Sequence, residues 1–398
     1  MIINSLLDTD LYKFTTGYAY AKLFPYAYGH FKFIDRDHRI YPKGFAQLLR
    51  EEIDHMSRIA LSDSEAQFIA HRMPYIPPTH IDMLRGFRFN PDELTITQDS
   101  EGHLFIDAEG PLYRVTLWET PILALVSELY YRVMNIAPDE EYMQRVAIEK
   151  AHRLEKESLN FSLFGMRRRF SYEVEDKITR IMQEYAPQHF FGTSNVHFAH
   201  KYNLNVSGTH PHEWIQFHGA IYGYKMANYM AMEDWINVYD GDLGTVLTDT
   251  YTTDVFLRNF SKKHAQLYTS LRHDSGDPFQ FVDKAIARYR ELKVDPKIKY
   301  IIFSDSLNVD KALRIQNYCA DQIRCSFGIG TNLTNDTGCG VAPSNIVMKL
   351  WRCKMTEREE WSHCVKLSDA HGKYTGTPEE LSLIHISETT RQAEISYA

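Results

Sequence analysis

The sequence predicts an α/β protein: a barrel-like succession of strand–helix units in the second half, preceded by a mixed α+β module. Five stretches carry the prediction, each a few apolar or β-branched residues, then a polar cluster, then a helix-like run. They are Val206–His212, Thr245–Thr250, Leu271–Asp277, Ile301–Ser306 and Cys325–Thr331. Counted from Thr209 to Asp249, Asp274, Asp305 and Gly328, the steps are 40, 25, 31 and 23 residues, close to the ~30 residues of a strand–helix unit. In a barrel of such units the active site lies where the strands end, so side chains far apart in sequence converge on one mouth.

The elements follow in chain order. Leu94–Thr97 and His103–Ile106 flank the turn-rich Asp99-Ser100-Glu101-Gly102 and predict a β-hairpin. Val115-Thr116-Leu117 predicts a strand, and Thr120-Pro121 the cap and first residue of an apolar helix through Tyr131. Together these make 1–135 an α+β module. A long charged helix from about 140 leads to Phe164-Gly165-Met166-Arg167-Arg168-Arg169, and the strand–helix units fill the domain 136–350. Asp277-Pro278 opens a helix to Leu292 with apolar positions at Phe279, Phe281, Val282, Ala285 and Tyr289. Ser344–Leu350 predicts a further buried strand. Residues 381–398 do not continue these patterns. Leu381 to Ala398 resembles the translated read-through of a sequencing adapter, so the expectation is a non-native tail in place of the natural C-terminus.

The bulk numbers exclude several classes. At 398 residues the chain predicts two or three domains, and 44% hydrophobic with 24% charged residues is ordinary for a globular protein. The five cysteines are odd in number, fall in the last fifth and contain no C-x-x-C, which argues against a disulfide framework or zinc knuckle and for a reducing compartment. The first residues lack the basic and apolar regions of a signal peptide, and no run approaches the ~18 apolar residues of a membrane span. A cytoplasmic protein is expected. A net charge of −8 argues against broad nucleic-acid binding, while local arginine clusters leave anionic small molecules open.

Candidate chemistry sits at the strand ends. Phe327-Gly328-Ile329-Gly330-Thr331 leaves backbone N–H groups free to surround a phosphate, or makes a tight bend. Arg272-His273-Asp274-Ser275-Gly276-Asp277 gathers a cation, two carboxylates and a hydroxyl; Asp277 reads as a helix cap, Arg272 and Asp274 as ligands for phosphate or sugar hydroxyls. Asp249 and Asp305 occupy equivalent positions suited to ribose hydroxyls or to Mg²⁺ carried on phosphate. His210-Pro211-His212 is open to two readings, a metal site or a histidine acting as nucleophile or acid–base. Zinc needs three or four ligands, and downstream strand ends offer one further strong histidine, His273. Arg167-Arg168-Arg169 is either a solvated face or, with Phe164, a partner for a planar aromatic acid.

Seven ordered motifs make the chain, over essentially all of 1–376, similar to nicotinate phosphoribosyltransferases of the bacterial and fungal type. They are Asp8-Thr9-Asp10-Leu11-Tyr12-Lys13, Phe164-Gly165-x-Arg167-Arg168-Arg169-Phe170-Ser171, Gly192-Thr193-Ser194-Asn195-Val196, Gly208-Thr209-x-x-His212-Glu213-Trp214, Leu271 to Pro278, Ser326 to Thr331 and Lys366-Leu367-Ser368-Asp369. The resemblance implies a type II phosphoribosyltransferase fold, an incomplete α/β barrel packed against the N-terminal α+β module, with 351–380 returning to that module. It further implies a head-to-tail homodimer with shared active sites, Asp10 and Tyr12 reaching into the neighbour.

The implied reaction joins nicotinate to phosphoribosyl pyrophosphate, with ATP as co-substrate hydrolysed through a phosphohistidine at His212 and Mg²⁺ arriving on the phosphates; no resident metal site is implied. By position, Tyr12 and Phe164 would sandwich the pyridine ring and Arg167 would pair its carboxylate. Asp249 and Asp274 would act at the ribose and metal–pyrophosphate, Arg272 would bind phosphates, and Gly328, Gly330 and Thr331 would form the 5′-phosphate loop. Three departures stand out: Met166 replaces a small hydroxyl residue, His371 stands near a usual proline, and the tail is foreign. Two other readings compete, a metal-dependent barrel hydrolase using His210 and His212, and a catalytically silent pyridine-binding relative.

Overall fold

The computed structural model describes residues 1–370, 373–377 and 379–381. The foreign-looking tail beyond Leu381 and the departure at His371 lie outside the described residues. Strands β1 (Tyr28–Asp35), β2 (Leu94–Gln98) and β3 (Leu104–Pro111) come first. Seven short strands follow: β4 (Phe161–Leu163), β5 (Phe190–Thr193), β6 (Asn205–Val206), β7 (Thr245–Leu247), β8 (Ser270–His273), β9 (Tyr300–Phe303) and β10 (Arg324–Ile329). Last are β11 (Ile346–Lys354) and β12 (Ser362–His363).

The two sets make two sheets. One is antiparallel, in the order β12-β11-β1-β3-β2, and the other is parallel, in the order β6-β5-β4-β10-β9-β8-β7. Strand β3 shows why the first can face water on one side: Leu104, Ile106 and Ala108 turn inward while Phe105 and Glu109 stay exposed. Every residue of β8 is buried, as a strand covered on both faces requires. Among the described residues β6 and β7 pair with no further strand, so the barrel stays open, as expected of an incomplete α/β barrel. Strand β11 belongs to the antiparallel sheet, in register with β1 from Tyr28↔Lys354 to Asp35↔Ile346. None of the described helices is long and apolar enough to cross a membrane.

Most sequence expectations hold, with two corrections. The hairpin lies at β2–β3, and Asp277 accepts from the Phe279 and Gln280 backbone N–H groups to cap the helix Pro278–Glu291. Val115-Thr116-Leu117 is not a strand but part of two short helical turns, Leu112–Val115 and Thr116–Trp118. Tertiary contacts override its β preference, because Thr116 Oγ1 donates to Glu213 at 2.5 Å and accepts from the buried Lys13 at 3.1 Å. The apolar helix begins at Glu119, one residue before the expected cap, and runs to Val133. Thr120 is spent on a hydrogen bond to Thr9, and Pro121 lies in the first turn, where no N–H donor is needed.

The basic triplet divides. Arg169 is fully buried, with Nη1 and Nη2 each 2.9 Å from the two Asp8 oxygens, Nη1 3.1 Å from Glu175 and Nε 3.8 Å from Glu128. Asn195 adds a 2.8 Å bond to Asp8. Burial favours a neutral Asp8, but the Arg169 guanidinium outweighs it and holds the carboxyl below its usual range. Burial pushes Glu175 up to about 7. Replacing Arg169 with Met removes the cation from the buried carboxyl groups of Asp8 and Glu175, so R169M should lose ~3–5 kcal/mol of stability, read as a lower midpoint in urea denaturation.

Candidate active site

The C-terminal ends of the parallel strands open into a cavity of about 880 Å³. Strand-end loops bring His212, Arg272, Asp274 and Ser304 from one side; the antiparallel module brings Tyr12, Glu119 and Lys349 from the other. Phe164 and Arg167 follow β4, and Gly330 and Thr331 follow β10.

His212 opens the helix His212–Tyr222 behind Pro211. Its Nε2 lies 2.8 Å from Asp249 Oδ1 and 2.8 Å from Lys366 Nζ. Asp249, fully buried just past β7, also accepts from Ser275 at 2.6 Å through Oδ2, which lies 3.2 Å from Lys366. Burial and the Lys366 ammonium lower the imidazole pKa to about 4 against the pull of Asp249, so the ring is neutral at pH 7. Burial works against ionised Asp249, but Lys366 and His212 outweigh it and hold its carboxyl far below the usual range.

Arg272 is placed by three side chains: Ser304 Oγ 2.8 Å from Nε, Thr209 Oγ1 2.9 Å from Nη1 and Asp274 Oδ1 2.9 Å from Nη2. Asp274 Oδ1 accepts from Ser304 as well, at 2.6 Å. Its Oδ2 takes neither bond and lies 3.8 Å from His212 Nε2. Among the described residues, His212, Asp249 and Asp274 form the grouping able to hold a metal, with donor atoms within 4.8 Å. The Lys366 ammonium already sits against two of the three. The donor set therefore fits a hard cation brought by a phosphate to Asp274 Oδ2 better than an ion held by all three.

Beneath Tyr12 the wholly buried Lys13 pairs with Glu119 and, at 2.5 Å, with Glu213. Burial disfavours its charge, yet the two carboxylates raise its pKa. Arg167, about a third exposed, lies 3.8 Å from Glu119 and 3.9 Å from Asp10. Lys349 also faces the cavity; burial brings its pKa down to about 7.

The expected site residues are brought together in this way: Tyr12, Phe164, Arg167, His212, Arg272, Asp274, Gly330 and Thr331 all line the cavity. Asp249 lies just behind it. Asp10 accepts from Ser194 at 2.6 Å and bridges to Asn195 of the same chain. Within one chain, Tyr12 thus lines the cavity and Asp10 stands beside Arg167. Gly328 is not on the wall but behind the Phe164 ring, where a Cβ would come within 2.4 Å of Phe164 Cδ2. Its lack of a side chain is needed for the ring. Met166 is buried in the core and leaves Arg167 free to face the cavity. His210 has both ring nitrogens buried without a partner and packs 5.2 Å from Trp235, outside the metal-capable group, so the two-histidine metal site is not formed.

Sequence reasoning gave no role to Lys366, Lys13, Glu119 or Glu213. Lys366, Lys13 and Glu213 sit inside quoted motifs and were legible as charged residues beside assigned ones. Glu119, in an apolar helix, carried no local signal.

Comparisons with known proteins point to one family. The family model for nicotinate phosphoribosyltransferases matches residues 159–386, and that for their N-terminal domain residues 7–127. The chain is 43% identical over 386 residues to a nicotinate phosphoribosyltransferase of Chromohalobacter salexigens, covering 96% of this chain and 97% of the relative. The crystal structure of the Porphyromonas gingivalis nicotinate phosphoribosyltransferase superposes with a TM-score of 0.96 at 65% identity, covering 97% of this chain and 99% of the other. That from Vibrio cholerae gives 0.89 at 34%, covering 96% and 93%.

The electrostatics of His212 can be tested directly. Its ring should titrate near 4 by ¹⁵N NMR, and K366M should move it upward, because the ammonium helps hold it down. An unfolded histidine binds its proton near 6.5. The neutral ring therefore contributes stability fully above that pH, and the contribution is lost as pH falls toward about 4.

Proposed function

The chain belongs to the nicotinate phosphoribosyltransferase family, and from that premise we propose that its cavity joins nicotinate to phosphoribosyl pyrophosphate with ATP hydrolysis coupled through His212. The observation that carries the coupling is the buried His212–Asp249 contact on the wall of the cavity that Phe164, Tyr12 and Arg167 also line. In this reading Phe164 and Tyr12 face the pyridine ring and Arg167 pairs the carboxylate, a planar match between guanidinium and carboxylate. The ring nitrogen attacks the anomeric carbon as pyrophosphate leaves. Arg272, held by Ser304, Thr209 and Asp274, meets the phosphates as a preorganised cation with no reorganisation at the moment of reaction.

ATP enters through a second covalent step. With Nε2 turned toward Asp249 and Lys366, Nδ1 is the ring nitrogen without a partner among the described residues. Its lone pair attacks the γ-phosphorus, the bond to the β-phosphate oxygen breaks and ADP leaves; water later returns the phosphoryl group as phosphate. Mg²⁺ would arrive on the substrate phosphates and meet Asp274, screening the charge of the leaving pyrophosphate. A cytoplasmic location belongs to the same proposal, supported by five free thiols that suit a reducing compartment.

Incubation with nicotinate, phosphoribosyl pyrophosphate and Mg²⁺ should give nicotinate mononucleotide, faster with ATP and with ADP released. His212→Asn should retain slow transfer and lose labelling from γ-³²P ATP, and ³¹P NMR of the wild-type phosphoenzyme should report the Nδ1 isomer. Transfer that ATP does not stimulate would remove the coupling, and binding of nicotinate without turnover would favour a silent relative. Arg167→Ala should raise the KM for nicotinate by on the order of 10- to 100-fold, the loss of a charge-assisted pair of ~1.5–3 kcal/mol, measured by steady-state kinetics.

A further inference from the structure

His212 Nε2 has two suitors that demand opposite things of it. Asp249 Oδ1, at 2.8 Å, can only accept, so a hydrogen bond there needs the ring proton on Nε2. The Lys366 ammonium, also at 2.8 Å, can only donate, so a bond there needs a lone pair on Nε2 and the proton on Nδ1. A neutral imidazole has one proton and satisfies one suitor at a time. The choice decides reactivity, because the Nδ1 lone pair that would attack phosphorus exists when the proton is on Nε2.

We propose that Lys366 is a positioning residue that sets the His212 tautomer, holding Nδ1 protonated in the empty site and releasing it when a phosphate chain draws the ammonium away. The ring stays neutral throughout: Nδ1 gives its proton to water in the cavity, Nε2 takes one from water, and the new Nε2–H donates to Asp249. Lys366 has somewhere to go, since it faces the cavity and shares Asp249 Oδ2 at 3.2 Å with the Ser275 hydroxyl. When it leaves, Asp249 keeps the Ser275 bond and accepts a hydrogen bond from the imidazole Nε2–H. The site thereby avoids presenting a nucleophilic Nδ1 to water or to other electrophiles until a polyphosphate is bound. The proposal rests on the coupling role given to His212 but concerns a state that exists without ATP.

The test is long-range ¹H–¹⁵N correlation on protein with ¹⁵N-labelled histidine, with the His212 signals identified by their loss in His212→Asn. Free wild type should show the Nδ1–H pattern, and saturating inorganic pyrophosphate should invert it to Nε2–H. K366M should show Nε2–H with and without pyrophosphate, and K366R, which keeps a cation, should restore the wild-type inversion. Nε2–H in free wild type, or Nδ1–H surviving in K366M, would overturn the proposal. Should K366M not fold, K366L, which likewise carries no donor, replaces it under the same criteria. Inversion by pyrophosphate without later labelling from ATP would sink the coupling role of His212 and leave the tautomer control standing; labelling in a protein that never inverts would do the reverse.

Discussion

The site depends on one buried contact, the two-pronged pairing of Arg169 with Asp8. Asp8 does not line the cavity. It fixes the chain two residues before Asp10 and four before Tyr12, so that the segment runs against Asn195 and delivers Tyr12 to the cavity. Both partners are shut off from water, where an ion pair survives because its geometry is bidentate, Asp8 also accepts from Asn195 and Arg169 also donates to Glu175. The pair thus joins the N-terminal segment to the parallel sheet by a bond that a slip of one residue would break.

A second set of charges is arranged for chemistry rather than attachment. Asp249 ionises despite full burial because Lys366 and His212 surround it, and the same ammonium keeps His212 from becoming a cation. A carboxylate alone would pull the imidazole toward protonation; an ammonium alone would leave its own charge uncompensated. Together they hold a neutral ring between two fixed charges, one tautomer shift away from the nucleophilic form. On the cavity floor Lys13, Glu119 and Glu213 balance one another, and Glu119 extends the chain of charge to Arg167.

The fold was legible because its signals are periodic. Strand-end polar clusters at Asp249, Asp274 and Asp305 recur at unit spacing, and helix caps such as Asp277 are local chemistry. The failures lie where distant partners decide. Val115-Thr116-Leu117 reads as a strand until Lys13 and Glu213 claim the Thr116 hydroxyl. Gly328 looks like a phosphate-loop glycine, and its nearest neighbour is the aromatic ring of Phe164, from a distant part of the chain. The arginine triplet is one run in sequence and divides in space: Arg169 in the core, Arg167 and Arg168 on the cavity. His210 and His212 alternate in the same sense, one packed on Trp235 and one turned to the cavity. Motif identity located the site; burial assigned the work within each motif.

The segment after β12 shows how late in the chain the site is completed. Lys366 forms a bridge with Thr375, and the loop between them is pinned to the barrel by Leu367 N–H on Thr250 O at 2.8 Å, Ser368 on Ser275 at 2.9 Å and Asp369 on the Thr253 N–H at 2.9 Å. Lys373 reaches across to Asp305 at 2.5 Å. These contacts land on the ends of β7, β8 and β9, the strands that carry Asp249, Arg272 and Ser304. The ammonium beside His212 is therefore set by the same segment that ties those three strand ends together. Loosening that segment would do more than expose the cavity: it would take the ammonium from beside Nε2, and the ring would lose the donor that competes with Asp249 for that nitrogen. The chemistry of His212 thus depends on residues far along the chain for the sign of the charge around it.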